Sequence, residues 1–344
     1  MILGIFPSPG YYDGVGRSGL AAWQGLARDE SGSILLAYGR NPPPPEILGE
    51  VRHVRSQAAA VISAISLTRS FRTTLVWHVH LLKLLPFVRR AGRIVVYLHG
   101  IEVWRRLSPS VARQLHCVDL VMSNSQYTWT RFLEWNPEFA YLPHRTVPLG
   151  LGEPALVECV PGKLPSALMI GRIERSEAYK GHHEVIGAWA AVRERVPGAE
   201  LHMIGTGDLH GELRELARTH GVEDYCHLHG LVPQEPKEAL LRDCRCMALP
   251  SRGEGFGLAY LESMRLGRPC LVSRSDAGRE VVNPPEAGLA ADPENREDLV
   301  TALSRLLTGG AEWDAMASGA RRRYEALYTE TAFVARLRDA VGSL

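Results

Sequence analysis

Two glutamates eight residues apart, Glu254 and Glu262, lie in the segment of this sequence that is most suggestive of chemistry, residues 250–269. The apolar run 246–249 before it is typical of a β-strand, and the glycine-rich loop after it opens into a short predicted helix. Glu254 then falls at the carboxyl end of a strand, where open α/β sheets bind ligands. Backbone amides at the helix start suit phosphate or sugar hydroxyl groups. The alternative is an ordinary loop acid and a solvated helix carboxylate.

Two basic residues come after another predicted strand. Arg172 comes just after the apolar run 167–170, and Lys180 precedes the next helical pattern, 181–195. At the same edge of the sheet as Glu254, the two cations would neutralise a diphosphate, arginine as a fork of donors and lysine as a point charge. Two solvated loop charges are the alternative.

A glycine pattern near the N-terminus, Gly14-Val-Gly16-Arg-Ser-Gly19, matches the spacing G-x-G-x-x-G. A dinucleotide site would need these glycines directly after the strand and an acid about 20 residues later. Here residues 7–13 intervene, and the second predicted strand runs into Gly39 and Arg40 without an acid. The pattern therefore argues against a nicotinamide site. It still predicts a helix start that a phosphate can approach, or else a flexible turn.

The elements that must position these residues alternate between short apolar runs and helical patterns. Continuous apolar strands indicate parallel sheets covered by helices on both faces. The predicted strands are 2–6, 34–38, 75–79, 94–98 and 120–123, then 167–170, 200–204, 246–249 and 269–272. The predicted helices lie near 17–28, 56–70, 80–90 and 126–135, then near 181–195, 210–220, 235–243, 258–266 and 294–308.

The stretch 143–165 is rich in proline and glycine, which is typical of a linker. It predicts two doubly wound α/β domains, residues 1–152 and 153–327. The last helices, after about residue 311, could pack on either domain; a helix near 328–344 that packs back on the first is one of these alternatives.

Composition narrows the class of protein. The chain has 344 residues with 39 Lys+Arg against 38 Asp+Glu, so charge alone gives no reason to bind nucleic acid. No apolar run approaches the roughly 20 residues of a membrane span, and no signal peptide is recognisable, which predicts a cytoplasmic protein. The six cysteines lack a second pair at ligand spacing, so buried thiols are expected and zinc is not.

One stretch, residues 81–93, combines apolar residues with Lys83, Arg89, Arg90 and Arg93. Such a cationic amphipathic segment is compatible with peripheral contact at an anionic inner membrane face. A packed crossover helix is the alternative.

Taken together, the motifs resemble those of family 4 of the retaining glycosyltransferases. The resemblance is strongest from about 166 to 305 and rests on Glu254-Gly-Phe-Gly…Glu262, Gly171-Arg172…Lys180-Gly181, Ile204-Gly205-Thr206-Gly207, Leu249-Pro250-Ser251 and Tyr97-Leu98-His99-Gly100. It implies the GT-B fold, two Rossmann-like domains facing across a cleft, with acceptor recognition in the first. It also implies retaining transfer of a hexose from a UDP- or GDP-sugar to a hydroxyl of a glycan, a glycolipid or a small-molecule glycoside, as in polysaccharide biosynthesis.

The resemblance also implies roles for individual residues. Arg172 and Lys180 would hold the donor diphosphate, although their spacing is longer than in many members. Glu254 would lie beside the donor sugar at the reaction centre, and Glu262 would accept hydrogen bonds from the ribose. Amides near Phe256 and Gly257 would meet sugar hydroxyls, and those of Leu258 and Ala259 the phosphates.

Four further positions are implied by the resemblance. Gly16 would approach the diphosphate, and Gly14 and Gly205 would also contact the substrate. Leu231 and Val232 would frame the nucleobase. His99 would lie near the anomeric carbon, or else be a satisfied polar group at a strand end.

No Asp-x-Asp pair occurs in the sequence, so we expect a metal-independent reaction with no cofactor beyond the sugar nucleotide. A nucleotide-sugar epimerase of the same fold and a non-catalytic sugar-nucleotide-binding protein remain alternatives. The base, the sugar and the acceptor stay open.

Overall fold

The computed structural model describes residues 1–11, 13–89, 92–155 and 159–342 and confirms the α/β class. The chain forms two compact units. Unit 1 comprises residues 1–152 and 330–344, and unit 2 comprises residues 153–329. Each unit contains one parallel sheet with helices.

Unit 1 has a seven-stranded sheet in the order β3-β2-β1-β4-β5-β6-β7. Its strands are β1 (Ile2–Pro7), β2 (Ile34–Tyr38), β3 (Glu50–Val54), β4 (Thr73–Val76), β5 (Arg93–Leu98), β6 (Leu120–Ser123) and β7 (His144–Thr146). The first helices of the chain are α1 (Gly14–Ala27), α2 (Gln57–Ile65), α3 (Pro109–Leu115) and α4 (Gln126–Trp135). Ile5 pairs with Leu36 on one side and Val76 on the other, and all three are fully buried, as the apolar pattern predicts.

Unit 2 has a six-stranded sheet in the order β10-β9-β8-β11-β12-β13. Its strands are β8 (Ser166–Ile170), β9 (Glu200–Ile204), β10 (Cys226–Gly230), β11 (Cys246–Leu249), β12 (Cys270–Ser273) and β13 (Gly288–Ala291). Its α-helices are α5 (His182–Arg195), α6 (His210–Thr219), α7 (Gln234–Asp243), α8 (Leu258–Met264), α9 (Gly278–Val282), α10 (Arg296–Thr308) and α11 (Ala311–Leu327). Because β8, β11 and β12 are neighbours and parallel, the loops after these three strands emerge at one edge of the sheet.

The chain then returns to unit 1. Helix α12 (Glu330–Gly342) packs on α1, where Val334 lies so close to Gly25 that an added Cβ would come within 2.6 Å of it. The guanidinium of Arg338 donates to the carbonyl of Gly25 at 2.6 Å.

Four strands were not predicted: β3, β7, β10 and β13. The first three carry charged or histidine side chains that interrupt an apolar run, and β13 is a short strand made mostly of glycine and alanine. The predicted strand 75–79 is wrong in its bounds, because β4 ends at Val76.

The stretch 81–93 is not the predicted α-helix. A 3₁₀ helix, Val79–Phe87, contains Pro86 and buries Leu82 and Leu85, while Arg90 and Ala91 lie outside the described residues. Its buried leucines are packed in the core, as expected for the packed alternative. Among the described residues, no helix is both long and apolar enough to cross a bilayer.

All six cysteines are described and none forms a disulfide. Four are buried, but Cys159 is half-buried and Cys117 is exposed, so the prediction of buried thiols is wrong for these two.

Candidate active site

Lys180 lies in a cluster of charges at the edge of the unit 2 sheet where β8 and β11 end. Its ammonium is 3.4 Å from Oε2 of Glu177 and 3.5 Å from Oε2 of Glu254, and only 13% of its side chain is exposed. Burial alone would lower the pKa of Lys180, but Glu254 and Glu177 outweigh burial and raise it. Lys180 is therefore a shielded, permanently charged cation.

Glu177 also joins Lys180 to Arg172. The guanidinium of Arg172 contacts Oε1 of Glu177, whose side chain is only 8% exposed. The long segment between the two cations folds into the 3₁₀ helix Arg175–Lys180. As a result, both cations reach the same carboxylate. Sequence reasoning missed Glu177. The available signal was its spacing, three residues before Lys180, which places both side chains on one face of a helical turn.

Gly171 and Gly205 allow close approaches beside this cluster. A Cβ on Gly171 would lie 3.1 Å from Cδ of Lys180, and one on Gly205 would lie 1.7 Å from the carbonyl oxygen of Gly171. Gly205 also has φ of 155°. These contacts explain both glycines by packing of the β8 and β9 loops. A contact of Gly205 with substrate stays a prediction.

Asp276, which sequence reasoning missed, anchors the loop of Glu254. Its Oδ2 accepts from the amide of Glu254 at 3.2 Å and its Oδ1 from the amide of Gly278 at 2.9 Å. Burial, followed by repulsion from Glu254, raises the pKa of Asp276 to about 8, although hydrogen bonds from Gly278, Glu254 and Ser251 oppose this. The Asp-x-Gly spacing after β12 was the only local signal, since it is typical of a turn.

Helix α8 begins at Leu258, directly after Gly257, whose φ is 89°. Phe256 is buried with its ring 6.0 Å from that of Tyr328, so only its backbone is suited to a ligand role. Leu258 and Ala259 are half-buried in the first turn. The helix has seven residues, shorter than predicted.

Glu262 forms an ion pair with a residue that the sequence did not suggest. Nζ of Lys237 in α7 lies 3.0 Å from Oε1 of Glu262, and both side chains are nearly buried. Lys237 thus fixes the orientation of the carboxylate. Leu231 and Val232 come directly after β10, and Leu231 is 85% exposed, an uncovered apolar side chain.

In unit 1, His99 comes directly after β5 with a defined ring orientation. Its Nε2 lies 2.6 Å from the carbonyl oxygen of Trp77. A carbonyl only accepts, so Nε2 carries the hydrogen and Nδ1 of the neutral ring keeps the acceptor lone pair. Burial lowers the pKa of His99, although Glu102 opposes this. Glu102 accepts from the backbone amide of His99 at 2.6 Å and does not orient the ring.

Two further histidines, His78 and His80, accompany His99. The ring of His78 lies 6.2 Å from that of His99 and 5.2 Å from that of His80. Burial lowers the pKa of both. The alternation Trp77-His78-Val79-His80 after a strand was the missed signal.

Helix α1 begins at Gly14, earlier than the predicted start near residue 17. The carboxylate of Asp13 caps the helix and accepts a hydrogen bond from the amide of Gly16 at 2.7 Å. The Gly16 amide is therefore already used. A Cβ on Gly16 would lie 3.1 Å from the carbonyl oxygen of Gly10, so close packing explains this glycine.

Comparisons with known proteins find similarity to glycosyltransferases. Residues 165–309 match the family model "Glycosyl transferases group 1". A GDP-mannose-dependent alpha-(1-6)-phosphatidylinositol monomannoside mannosyltransferase of Mycobacterium tuberculosis is 29% identical over 279 residues, which cover 74% of this chain and 71% of that protein. The MMP alpha-(1->4)-mannosyltransferase of Mycolicibacterium hassiacum is 30% identical over 190 residues, 54% of this chain and 45% of that protein.

Solved structures with low sequence identity share the fold. Sucrose-phosphate synthase from Thermosynechococcus elongatus has a TM-score of 0.80 at 18% identity, covering 99% of this chain and 98% of its own. HepE from Anabaena, solved with UDP and glucose, has a TM-score of 0.79 at 16% identity over the full length of both chains. The two parallel-sheet units and the structural matches show the GT-B fold, and the family model and the mannosyltransferase relatives support a glycosyltransferase similar to those of family 4.

Proposed function

We propose that this protein transfers a hexose from a nucleoside diphosphate sugar to an acceptor hydroxyl with retention of anomeric configuration. The observation that carries the proposal is the position of Lys180, a shielded cation between Glu177 and Glu254 with Arg172 on the same Glu177. A fixed cation at the edge of an α/β sheet is suited to stabilise the charge that develops on a leaving diphosphate.

Whether the cluster repels an anionic ligand depends on the charge of Asp276. Arg172 and Lys180 contribute two positive charges, and Glu177 and Glu254 two negative ones. With a pKa raised to about 8, Asp276 is mostly protonated at pH 7 and adds no net repulsion. An ionised Asp276 would make the site net negative and would oppose a diphosphate.

The relatives suggest the sugar. Both mannosyltransferases named above are similar in sequence, and one is GDP-mannose-dependent, so mannose from GDP-mannose is the first donor to test. The exposed Leu231 is suited to lie against a nucleobase, and the carboxylate of Glu262, oriented by Lys237, to accept from ribose hydroxyls.

Retention needs no covalent nucleophile in this proposal. Glu254 is held by Lys180, and this pairing stabilises the carboxylate and reduces its reactivity as a nucleophile. The acceptor oxygen attacks the anomeric carbon on the face from which the diphosphate leaves, the carbon–oxygen bond to phosphate breaks, and the leaving phosphate takes the acceptor's proton. The neutral His99 of unit 1, with Nδ1 as acceptor, is suited to receive a hydrogen bond from a substrate hydroxyl.

The first experiment is a thermal-shift panel of GDP, GDP-mannose, UDP, UDP-glucose, NAD and NADP. Ligands that bind only the folded state raise its apparent stability, so we expect a shift with GDP or UDP compounds and none with NAD or NADP. Lys180→Ala should lose the shift. Lys163→Ala, which removes an exposed lysine of the same unit, should keep it. Tight binding of NADH with no response to any nucleoside diphosphate would contradict the proposal.

Product analysis then separates the alternatives. NMR of the purified product should show the anomeric configuration of the donor. A changed sugar nucleotide formed without acceptor would indicate an epimerase, and donor binding without turnover on any acceptor would indicate a non-catalytic protein.

We also propose that any peripheral membrane contact through residues 81–93 is electrostatic. The leucines at 82 and 85 are buried, whereas Lys83, Arg89 and Arg93 are exposed. Co-sedimentation with vesicles rich in anionic lipid should then occur at low salt and disappear at high salt. Absence of binding at low salt would exclude it.

A further inference from the structure

A cluster of three histidines and one glutamate lies on β9 and β10, outside the residues discussed above. Glu200 and His202 alternate on β9 and share one face of that strand. His227 and His229 lie on β10, where the register is irregular between Leu228 and Gly230. The register places His227 directly beside His202. The ring of His202 therefore stacks on both of its neighbours, with centroids 4.7 Å apart for His202 and His227 and 5.2 Å for His202 and His229.

The nitrogen and oxygen atoms of this cluster converge. Nε2 of His202 and Nε2 of His227 each lie 3.5 Å from Oε2 of Glu200. The ligand atoms that these residues offer all lie within 4.8 Å of one another. A tetrahedral ion with bonds of about 2.0–2.1 Å keeps its ligand atoms about 3.3–3.4 Å apart. The glutamate–histidine distances already match that spacing.

Hydrogen bonding gives His229 a separate role. Nδ1 of His202 lies 3.0 Å from Nε2 of His229. When Nδ1–H of His202 donates to His229, Nε2 of His202 keeps its lone pair on the side of Glu200. A metal-binding histidine commonly donates its other ring N–H to such a partner, which fixes the ring.

Nε2 of His227 gives a further indication. This atom is enclosed, and because its 3.5 Å contact with Oε2 of Glu200 is not a hydrogen bond, it has no hydrogen-bond partner among the residues that the structure describes. A buried polar atom without a hydrogen-bond partner is costly and calls for an explanation.

We propose that Glu200, His202 and His227 bind a zinc ion, with His229 orienting His202. Two imidazoles and one carboxylate suit zinc and other late divalent transition metals, whereas magnesium and calcium prefer oxygen ligands. The fourth position would be taken by water, since the side chains are partly exposed. The ion would join β9 to the edge strand β10, which leads directly to Leu231. It is separate from the Lys180 cluster, which lies beyond the carboxyl ends of β8 and β11.

The test is zinc titration by calorimetry on protein without an affinity tag, stripped of metal with EDTA. A Cys117→Ser background removes the exposed thiol as a competing ligand. We expect one zinc per chain and a rise in Tm with zinc. His227→Gln and Glu200→Gln should each weaken zinc binding by more than about 100-fold, and His229→Gln by roughly 10- to 100-fold. His220→Gln, at an exposed histidine of the same unit, should bind zinc as the parent does.

Cobalt provides a second measurement. Co²⁺ at the same site should give visible absorption bands that are lost in His227→Gln and kept in His220→Gln. If the parent binds no more zinc than His227→Gln, the histidines are only stacked and the proposal is wrong. Equal loss of zinc binding in His220→Gln would also overturn it.

Discussion

In unit 2 the ammonium of Lys180 lies between two carboxylates, whereas in unit 1 the imidazole of His99 lies against a backbone carbonyl and aromatic rings. The two side chains both come after parallel strands and are both largely enclosed. Burial lowers the pKa of each by disfavouring the charged form. For Lys180, Glu254 and Glu177 reverse that effect and the group stays charged. For His99, Glu102 opposes burial only in part and the ring stays neutral.

This difference shows that the loops after parallel strands can present either a charged or a neutral polar side chain. A charged side chain at the edge of the sheet needs counterions, which unit 2 supplies from the 3₁₀ helix of Lys180 itself, with Glu177, and from the loop after β11, with Glu254. A neutral polar side chain needs only a hydrogen-bond partner, and the ring of His99 has the backbone carbonyl of Trp77. The first suits an anionic ligand, and the second suits hydroxyl groups.

The largest effect should come from removing the cation. Lys180→Ala should lower kcat by about 2–4 kcal/mol in transition-state free energy, roughly 30- to 1000-fold, the scale for losing one fixed electrostatic contact. The double variant with Glu177→Gln removes the carboxylate that would be left unpaired, and Lys163→Ala is the control. Steady-state kinetics with the best donor measures the effect. Unchanged turnover would show that Lys180 does not meet the leaving group.

Replacing the neutral histidine tests the other side of the comparison. His99→Ala should raise the free energy of the transition state by about 1.5–3 kcal/mol, the range for one hydrogen bond in a preorganised site, as measured by steady-state kinetics. His116→Ala, at an exposed histidine of unit 1, should have no effect. Because the lowered pKa keeps His99 neutral, its titration should not shape kcat/KM above pH 6.5. A loss of activity that tracks protonation near pH 7 would contradict the neutral ring.

Asp276 should make the stability of unit 2 depend on pH. Its folded-state pKa of about 8 exceeds the unfolded value near 4, so the folded protein binds the extra proton in between and stability falls as pH rises from about 4 to 8. One group gives a slope of up to about 1.4 kcal/mol per pH unit. Urea unfolding at several pH values should show a shallower slope for Asp276→Asn. Equal slopes would mean that Asp276 is ionised in the folded state.

Arg172 should matter less than Lys180. Its side chain is 65% exposed against 13% for Lys180, so water and salt screen its charge more. We expect Arg172→Ala to lower kcat by about 1 kcal/mol, roughly fivefold, and the loss to shrink at high salt. A loss as large as that of Lys180→Ala would show that Arg172 becomes enclosed when substrate binds.

Excess EDTA should have no effect on turnover. In the proposed reaction fixed cations stabilise the leaving group, so neither Mg²⁺ nor Mn²⁺ should be needed. Removal of zinc from the proposed site by EDTA should lower the Tm of the parent and leave the Tm of His227→Gln unchanged. Activity that vanishes with EDTA and returns with Mg²⁺ would contradict the account of the leaving group.

The central strands were predictable because burial on both faces requires continuous apolar runs. β1, β2, β5 and β6 were found in this way, with bounds that differ by one residue at most. The edge strands β3 and β10 were not, because an exposed face accepts Arg52 or His229 and the apolar pattern is lost. Their place depends on pairing with a distant strand, which no local pattern records.

By itself, the sequence determined which residue types follow the strands, with Arg172 and His99 near strand ends and Lys180 and Glu254 in the loops beyond, because chain order fixes which residues come after each strand. Their roles in catalysis stay predictions. The sequence could not determine all of their partners. Asp276 and Lys237 acquire their roles only when loops and helices far apart in sequence meet, whereas Glu177 lies three residues before Lys180 in the same helical turn. The charge states of the ionisable groups likewise depend partly on the sequence and partly on the tertiary structure. The sequence supplies the ionisable group, but burial and neighbouring charges, which depend on packing, decide whether Lys180 is charged, His99 neutral and Asp276 protonated.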